Sequence, residues 1–227
     1  MSGVRPNRTQ WAAITAVVLA LLFAGGAVTV ASADREEAPA TPASDSADAG
    51  FARDMSVHHQ QAVEMSFIVR DRTTDEEVRR LAYDIANTQA NQRGMMLGWL
   101  DMWGLPKVES GTEPMTWMDM GAEHGASGHG GSGHGEAGPA DGALMPGMAT
   151  KAEMKRLREA RGEEAEILYL QLMTDHHEGG VHMAQGCVDR CSVEVERGLA
   201  QGMVDAQESE IRLMAELLEK RGAKPRP

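Results

Sequence analysis

Apolar residues recur at helical spacing in four stretches of this chain, and apolar and polar residues nowhere alternate over the length of a strand. The first stretch covers residues 47–70 and closes at the turn Asp71-Arg72-Thr73-Thr74. Thr74 and Glu77 form a capping-box pattern for a second helix that reaches about Trp103, where Gly104 and Pro106 stop it. Leu81, Ile85, Gln89, Met96 and Leu100 keep to one side of that helix. After a long interval the plan returns. Thr150 and Glu153 offer a capping box for a short segment through Arg161, and Gly162 bends the chain. A helix carrying Ile167, Leu170, Met173, His177 and Val181 leads to the turn at Asp189-Arg190. Ser192 is placed to cap a last helix, which ends near Arg221 with Gly222 and Pro225 beyond. Two helical hairpins of matching length, each with one apolar face, hide those faces by packing on each other. The predicted fold is therefore an all-α four-helix bundle made of two repeated hairpins.

The hairpins share a motif. Residues 51–65 read FARDMSVHHQQAVEM and residues 169–183 read YLQLMTDHHEGGVHM, so Met55, His58, His59, Val63 and Met65 recur as Met173, His176, His177, Val181 and Met183. The register continues without a gap to Leu100 and Leu218. On a helical wheel with Met55 at zero, His58 falls at about −60°, His59 at about +40°, Ala62 at about −20° and Met65 at about −80°. This sector has the width of a core-facing stripe. Ala62 matches Gly180, so its middle is small in both copies, which leaves room for an ion or for a close helix. Buried imidazoles need partners; Gln89 and Gln207, at matching positions, are candidate hydrogen-bond donors and acceptors, and a metal ion is the alternative.

Thioether sulfur and imidazole together favour copper, as Cu(I) or Cu(II), with silver a soft alternative; methionine adds little to a zinc site. The expected ligands are Met55, His58, His59 and Met65 with Met173, His176, His177 and Met183. Adjacent histidines diverge by about 100° on a helix, so the two members of a pair need not serve one ion. His182 lies off the sector and is a secondary, surface candidate. Because imidazole ligates only when neutral, release is expected as pH falls through about 6.

The interval between the hairpins, residues 105–149, is biased in composition: Met115, Met118 and Met120, then His124, His129 and His134 among glycines, then Met145 and Met148. It is expected to be a flexible linker whose histidines and methionines wrap an ion without a preformed cavity. Cys187 and Cys191 suit a local disulfide near a helix end, or soft-metal ligation if they are kept reduced.

At the N-terminus Arg5 and Arg8 precede an uncharged stretch, residues 11–33, that ends Ala-Ser-Ala: a signal peptide, or an uncleaved signal anchor forming an N-terminal hydrophobic helix. Either places the rest of the chain outside the cytoplasm. The expected divisions are 1–33 leader, 34–46 disordered spacer, 47–104 first hairpin, 105–149 linker, 150–221 second hairpin and 222–227 tail. The net charge of −12 repels phosphate backbones and argues against nucleic acid as a partner. Contact with a membrane is expected only through the leader. With 16 Met against three Phe, the core must be rich in methionine.

The blocks DMSVHHQQAVEM and LMTDHHEGGVHMA, each followed by a helix with a Gln…Met…Leu pattern, resemble the family called domain of unknown function 305, over residues 47–220. The resemblance implies a ferritin-like bundle in a secreted or membrane-anchored bacterial protein, with copper binding and copper resistance as the precedent. It also implies that the His and Met residues of both blocks carry the family motif. The expected function is copper sequestration, buffering or transfer, with a copper-transport or copper-oxidising partner, and without catalytic turnover. One alternative is a metal-free helical interaction module. The other is a ferritin-like metal-dependent oxidoreductase, disfavoured because Glu-x-x-His is absent.

Overall fold

A computed structural model describes residues 41–118 and 142–227. The elements below lie in one unit, Pro42–Pro227. The helices are α1 (Ala47–Arg70), α2 (Glu76–Trp103), α3 (Lys151–Glu159), α4 (Gly162–Arg190) and α5 (Glu194–Glu219), and the described residues form no strand. α1 packs on α2 and α4 on α5, while α1 also packs on α4, so the two motif-bearing helices meet at the centre. The short α3 lies against both of them. The expected leader, residues 1–33, falls outside the described residues. Among those that are described, no helix is long and apolar enough to cross a membrane.

Local signals set most of the helix ends. The Ser46 side chain accepts the Ala49 N–H at 3.2 Å, and the Thr150/Glu153 capping box forms in full. Two caps differ from expectation. α2 is capped by Asp75, which accepts the Val78 N–H at 2.9 Å, because aspartate is at least as good an N-cap as threonine and sits one residue on. Ser192 does not cap α5, whose N-cap residue is Val193. Asp48, on α1, reaches across instead: its Oδ1 accepts the Ser192 and Val193 N–H groups at 2.8 and 2.7 Å, and Ser192 Oγ donates to Oδ2. A carboxylate at a helix N-terminus serves both the free N–H groups and the helix dipole. Here it also ties the first hairpin to the second.

The core divides into two apolar clusters. One contains Ala62, Met65, Ile85, Tyr169, Leu170, Met173 and Met214; the other contains Phe51, Met55, Met96, Trp117, Met145, Met183 and Met203. The N-terminal half of α1 shares a cluster with the C-terminal half of α4, and the reverse holds for the other halves, so the two helices run antiparallel. Met55 therefore joins Met183, and Met65 joins Met173. Between them, in the middle of α1 and α4, lie His58, His59, His176 and His177.

The expected flexible linker is packed at both described ends. Asp54 on α1 accepts the Met115 N–H at 2.7 Å and the Trp117 indole N–H at 2.9 Å, and the Trp117 ring meets Phe51 edge-on at 5.8 Å. Gln61 exchanges two hydrogen bonds with the backbone of Ala149, at 2.9 and 2.7 Å. Met145 is buried, and Gly147 lies so close to Asp175 and Gly179 on α4 that a Cβ there would run into the Asp175 carbonyl. Glycine and polar residues allowed mobility by composition, but a buried indole, a buried thioether and paired backbone amides outweigh it. His124, His129, His134 and Met120 lie outside the described residues.

Candidate metal centre

All eight motif residues are buried: Met55, His58, His59 and Met65 on α1, and Met173, His176, His177 and Met183 on α4, are each 0% exposed. The helical-wheel sector is thus the packed face of both helices. His182 is exposed, as its position off the sector predicts.

Each imidazole uses one nitrogen. His58 Nε2 faces the Pro146 carbonyl at 3.3 Å, and His176 Nε2 faces the carbonyl of His58 at 3.0 Å. His59 Nε2 meets Gln92 Oε1 at 2.9 Å, and His177 Nε2 meets Glu210 Oε2 at 2.7 Å. Carbonyl and carboxylate oxygens only accept, so the Nε2 atoms carry the protons. A neutral ring then presents a bare lone pair at Nδ1. All four Nδ1 atoms are buried and have no hydrogen-bond partner. Leaving a buried acceptor unsatisfied costs about 1–3 kcal/mol each, so four together are a substantial debt for a protein of ordinary stability.

The expected partners Gln89 and Gln207 do not serve the histidines. Both are buried, both amide atoms of Gln89 lack partners, and so does Gln207 Oε1. Gln92 and Glu210 take that role, one helical turn further along α2 and α5. Sequence reading missed them because both are half-buried polar residues outside the apolar stripe. The signal was there: both stand 33 residues after the second histidine of a pair.

His58 and His176 are the closest approach of the two motifs, with ring centroids 3.8 Å apart and planes inclined by 37°. The His176 and His177 rings are 6.2 Å apart, consistent with the expected divergence of neighbours. Among the described residues, no three histidine, cysteine or carboxylate donors gather within 4.8 Å except Cys187, Cys191 and Glu196. The imidazoles therefore offer a facing pair, one from each hairpin, rather than a three-nitrogen cage. A layer of imidazoles with thioethers above and below fits a soft ion that accepts few ligands, and it does not fit zinc, which prefers four.

Burial holds three of these rings, His58, His59 and His176, neutral. Desolvation is the largest cause in each case: it lowers His58 to about 4 and His59 to about 3, and drives His176 well below the usual value, with neighbouring imidazoles adding to the effect. This corrects the expectation of metal release near pH 6, which treated the rings as solvated. Protons compete for these nitrogens only in considerably stronger acid.

The expected disulfide joins Cys187 to Cys191 near the C-terminus of α4. Met115, Met118 and Met148 are half-buried beside the cluster that contains Met55 and Met183.

Comparison with known proteins places this arrangement. In sequence, no curated protein matches. Among solved structures, a candidate secreted DUF305 protein from Streptomyces coelicolor is 66% identical, with a TM-score of 0.70, covering 82% of this chain and 99% of that one. A DUF305 fragment from Deinococcus radiodurans is 29% identical, with a TM-score of 0.59, covering 81% and 99%. CopM in its Cu(I)-bound form is 18% identical, with a TM-score of 0.53, covering 76% and 96%, a likeness of fold. The family model described as domain of unknown function (DUF305) matches residues 48–218, and the chain belongs to that family.

Proposed function

We propose that this protein binds copper outside the cytoplasm, holding it in the layer where α1 and α4 meet and buffering or passing it on without turnover. One observation carries the reading: four fully buried imidazoles spend their Nε2 protons on oxygen acceptors and leave every Nδ1 lone pair free. A cation bound to Nδ1 would remove the desolvation debt that a metal-free core carries. His58 and His176 face each other and are the primary ligands. His59 and His177 stand behind them, with Met55, Met65, Met173 and Met183 as thioether donors. Cu(I), and silver with it, suits such a soft set better than a divalent ion does.

CopM, which has the same fold, has been crystallised with Cu(I), Cu(II) and silver, and this supplies a precedent for the class of ion. The secreted character suggested for the Streptomyces relative agrees with the leader-like N-terminus.

The test is an anaerobic Cu(I) competition titration against a chromogenic chelator. Wild type is expected to hold the ion tightly. His58→Ala with His176→Ala is expected to weaken it at least a hundredfold while helicity is kept. Affinity unchanged in that double variant would overturn the reading and leave a metal-free packing role for the imidazoles.

A further inference from the structure

The other end of the bundle holds a group that the copper reading does not use. Cys187 lies in the last turn of α4 and Cys191 is the residue that caps its C-terminus, and both are buried. Glu196, in the first turn of α5, is 0% exposed, and neither of its carboxylate oxygens has a hydrogen-bond partner. The two sulfurs and a Glu196 oxygen lie within 4.8 Å of one another. Asp48 stands nearby, but its oxygens are taken up by Ser192 and Val193. Burial, with the neighbouring Asp48 adding to it, raises the Glu196 carboxyl to about 9, so the group stands as an acid whose proton a cation can replace, within reach of two sulfurs.

We propose that Cys187, Cys191 and Glu196 form a second metal site, closed while the disulfide is intact and opened by thiol reductants. The chemistry balances. Two equivalents of a small thiol cleave the disulfide by exchange, giving two cysteine thiols and the oxidised reductant as its own disulfide. A divalent ion then replaces both thiol protons, and any proton on Glu196, all of which leave to solvent. In a tetrahedral site with metal–sulfur bonds of about 2.3 Å and a metal–oxygen bond of about 2.0 Å, the donors sit roughly 3.5–3.8 Å apart. The three donors already lie within 4.8 Å of one another, and reduction frees the two sulfurs to move apart to that spacing. Two thiolates with a carboxylate make a donor set for a thiophilic ion, of which the zinc-class divalent ions are one case. This site is independent of the imidazole layer, and its failure would leave the copper reading untouched.

The experiment is a Cd(II) titration of the full chain, followed by thiolate-to-metal charge-transfer absorption, before and after reduction with a trialkylphosphine. The phosphine takes its oxygen from water as the disulfide becomes two thiols. One equivalent per chain is expected to bind, after reduction only. Glu196→Gln should weaken it at least tenfold, Cys191→Ser should abolish it, and His58→Ala with His176→Ala should leave it unchanged. Comparing oxidised with reduced wild type requires no variant to fold. No absorption band from the reduced wild type, or equal affinity in Glu196→Gln, would overturn the site.

Discussion

The two halves of the imidazole layer are built on one plan but differ in the group behind the second histidine. In the first hairpin His59 donates to the neutral amide of Gln92; in the second, His177 donates to the carboxylate of Glu210, at 2.7 Å. A carboxylate behind a ligating imidazole makes the ring more basic and fixes its orientation, and such partners are typically worth 10–100-fold in metal affinity. The second half should therefore hold an ion more firmly than the first. The small residue at the centre also differs: Ala62 in the first half, Gly180 in the second, where the Gln207 amide fills the space a Cβ would need. On the copper reading, the facing pair is thus flanked by two unlike imidazoles, His59 behind His58 with an amide partner and His177 behind His176 with a carboxylate partner.

Exchanging the outer partners bears on this contrast most directly. Glu210→Gln is expected to lower Cu(I) affinity about tenfold or more, and Gln92→Glu to raise it by a similar factor. The double exchange would restore the total while reversing which half is tighter. Competition titrations of the three variants measure this, and three equal affinities would dissolve the distinction between the halves.

The next effect concerns the segment that covers His58. The carbonyl of Pro146 faces His58, and Gly147 lies against α4, whereas His176 is covered by the backbone of α1 itself. Gly147→Ala cannot keep that approach, both because of the Asp175 carbonyl and because φ is +76°. It is expected to lift the segment, to cost about 1–3 kcal/mol in chemical denaturation, and to speed metal exchange from the first half. Unaltered exchange with lowered stability would show that residues 145–149 brace the fold but do not gate the site.

How much of this could be read from the sequence follows from the range over which each signal acts. The start of α1 and the capping box of α3 are decided within four residues, and they emerged from the sequence directly. The burial of Met55, His58, Met65 and their counterparts followed from helical periodicity, which reports a face without naming what covers it. The cap of α5 by Asp48, the docking of Trp117 on Asp54 and the pairing of Gln61 with Ala149 depend on residues far apart in the chain. Nothing in local propensity encodes them. Gln92 and Glu210 stand between these cases: the repeat sets their matching spacing, but which group each one meets appears only when the hairpin has closed.

Acid offers a graded test on the metal-free protein. His58 and His59 are held neutral when folded, at about 4 and about 3, against an ordinary value of 6.5. Below pH 6.5 the unfolded chain therefore takes up protons that the folded chain refuses. Stability is complete above that pH and falls as pH drops towards 4, by about 1.4 kcal/mol for each unit and each histidine that stays neutral. Urea midpoints measured from pH 7 to pH 4.5 should show the decline, and His59→Gln should flatten it. Bound copper should delay it, since an ion on Nδ1 competes with the same proton. A pH-independent midpoint in the metal-free protein would mean that the rings are not sealed from water as the packing requires.

The smallest expected effect tests the centre of the sector. Ala62→Gly gives the first hairpin the residue of the second, at a cost of about 1 kcal/mol from helix propensity alone. Gly180→Ala gains that propensity but must displace the Gln207 amide. If the glycine is there to seat Gln207, the alanine variant is no more stable than wild type despite its better propensity. If it merely happens to lie on a helix, the variant gains close to the full 1 kcal/mol. Thermal unfolding of the two single variants separates these outcomes, and a gain in Gly180→Ala equal to the loss in Ala62→Gly would leave the central position without a role in setting the halves apart.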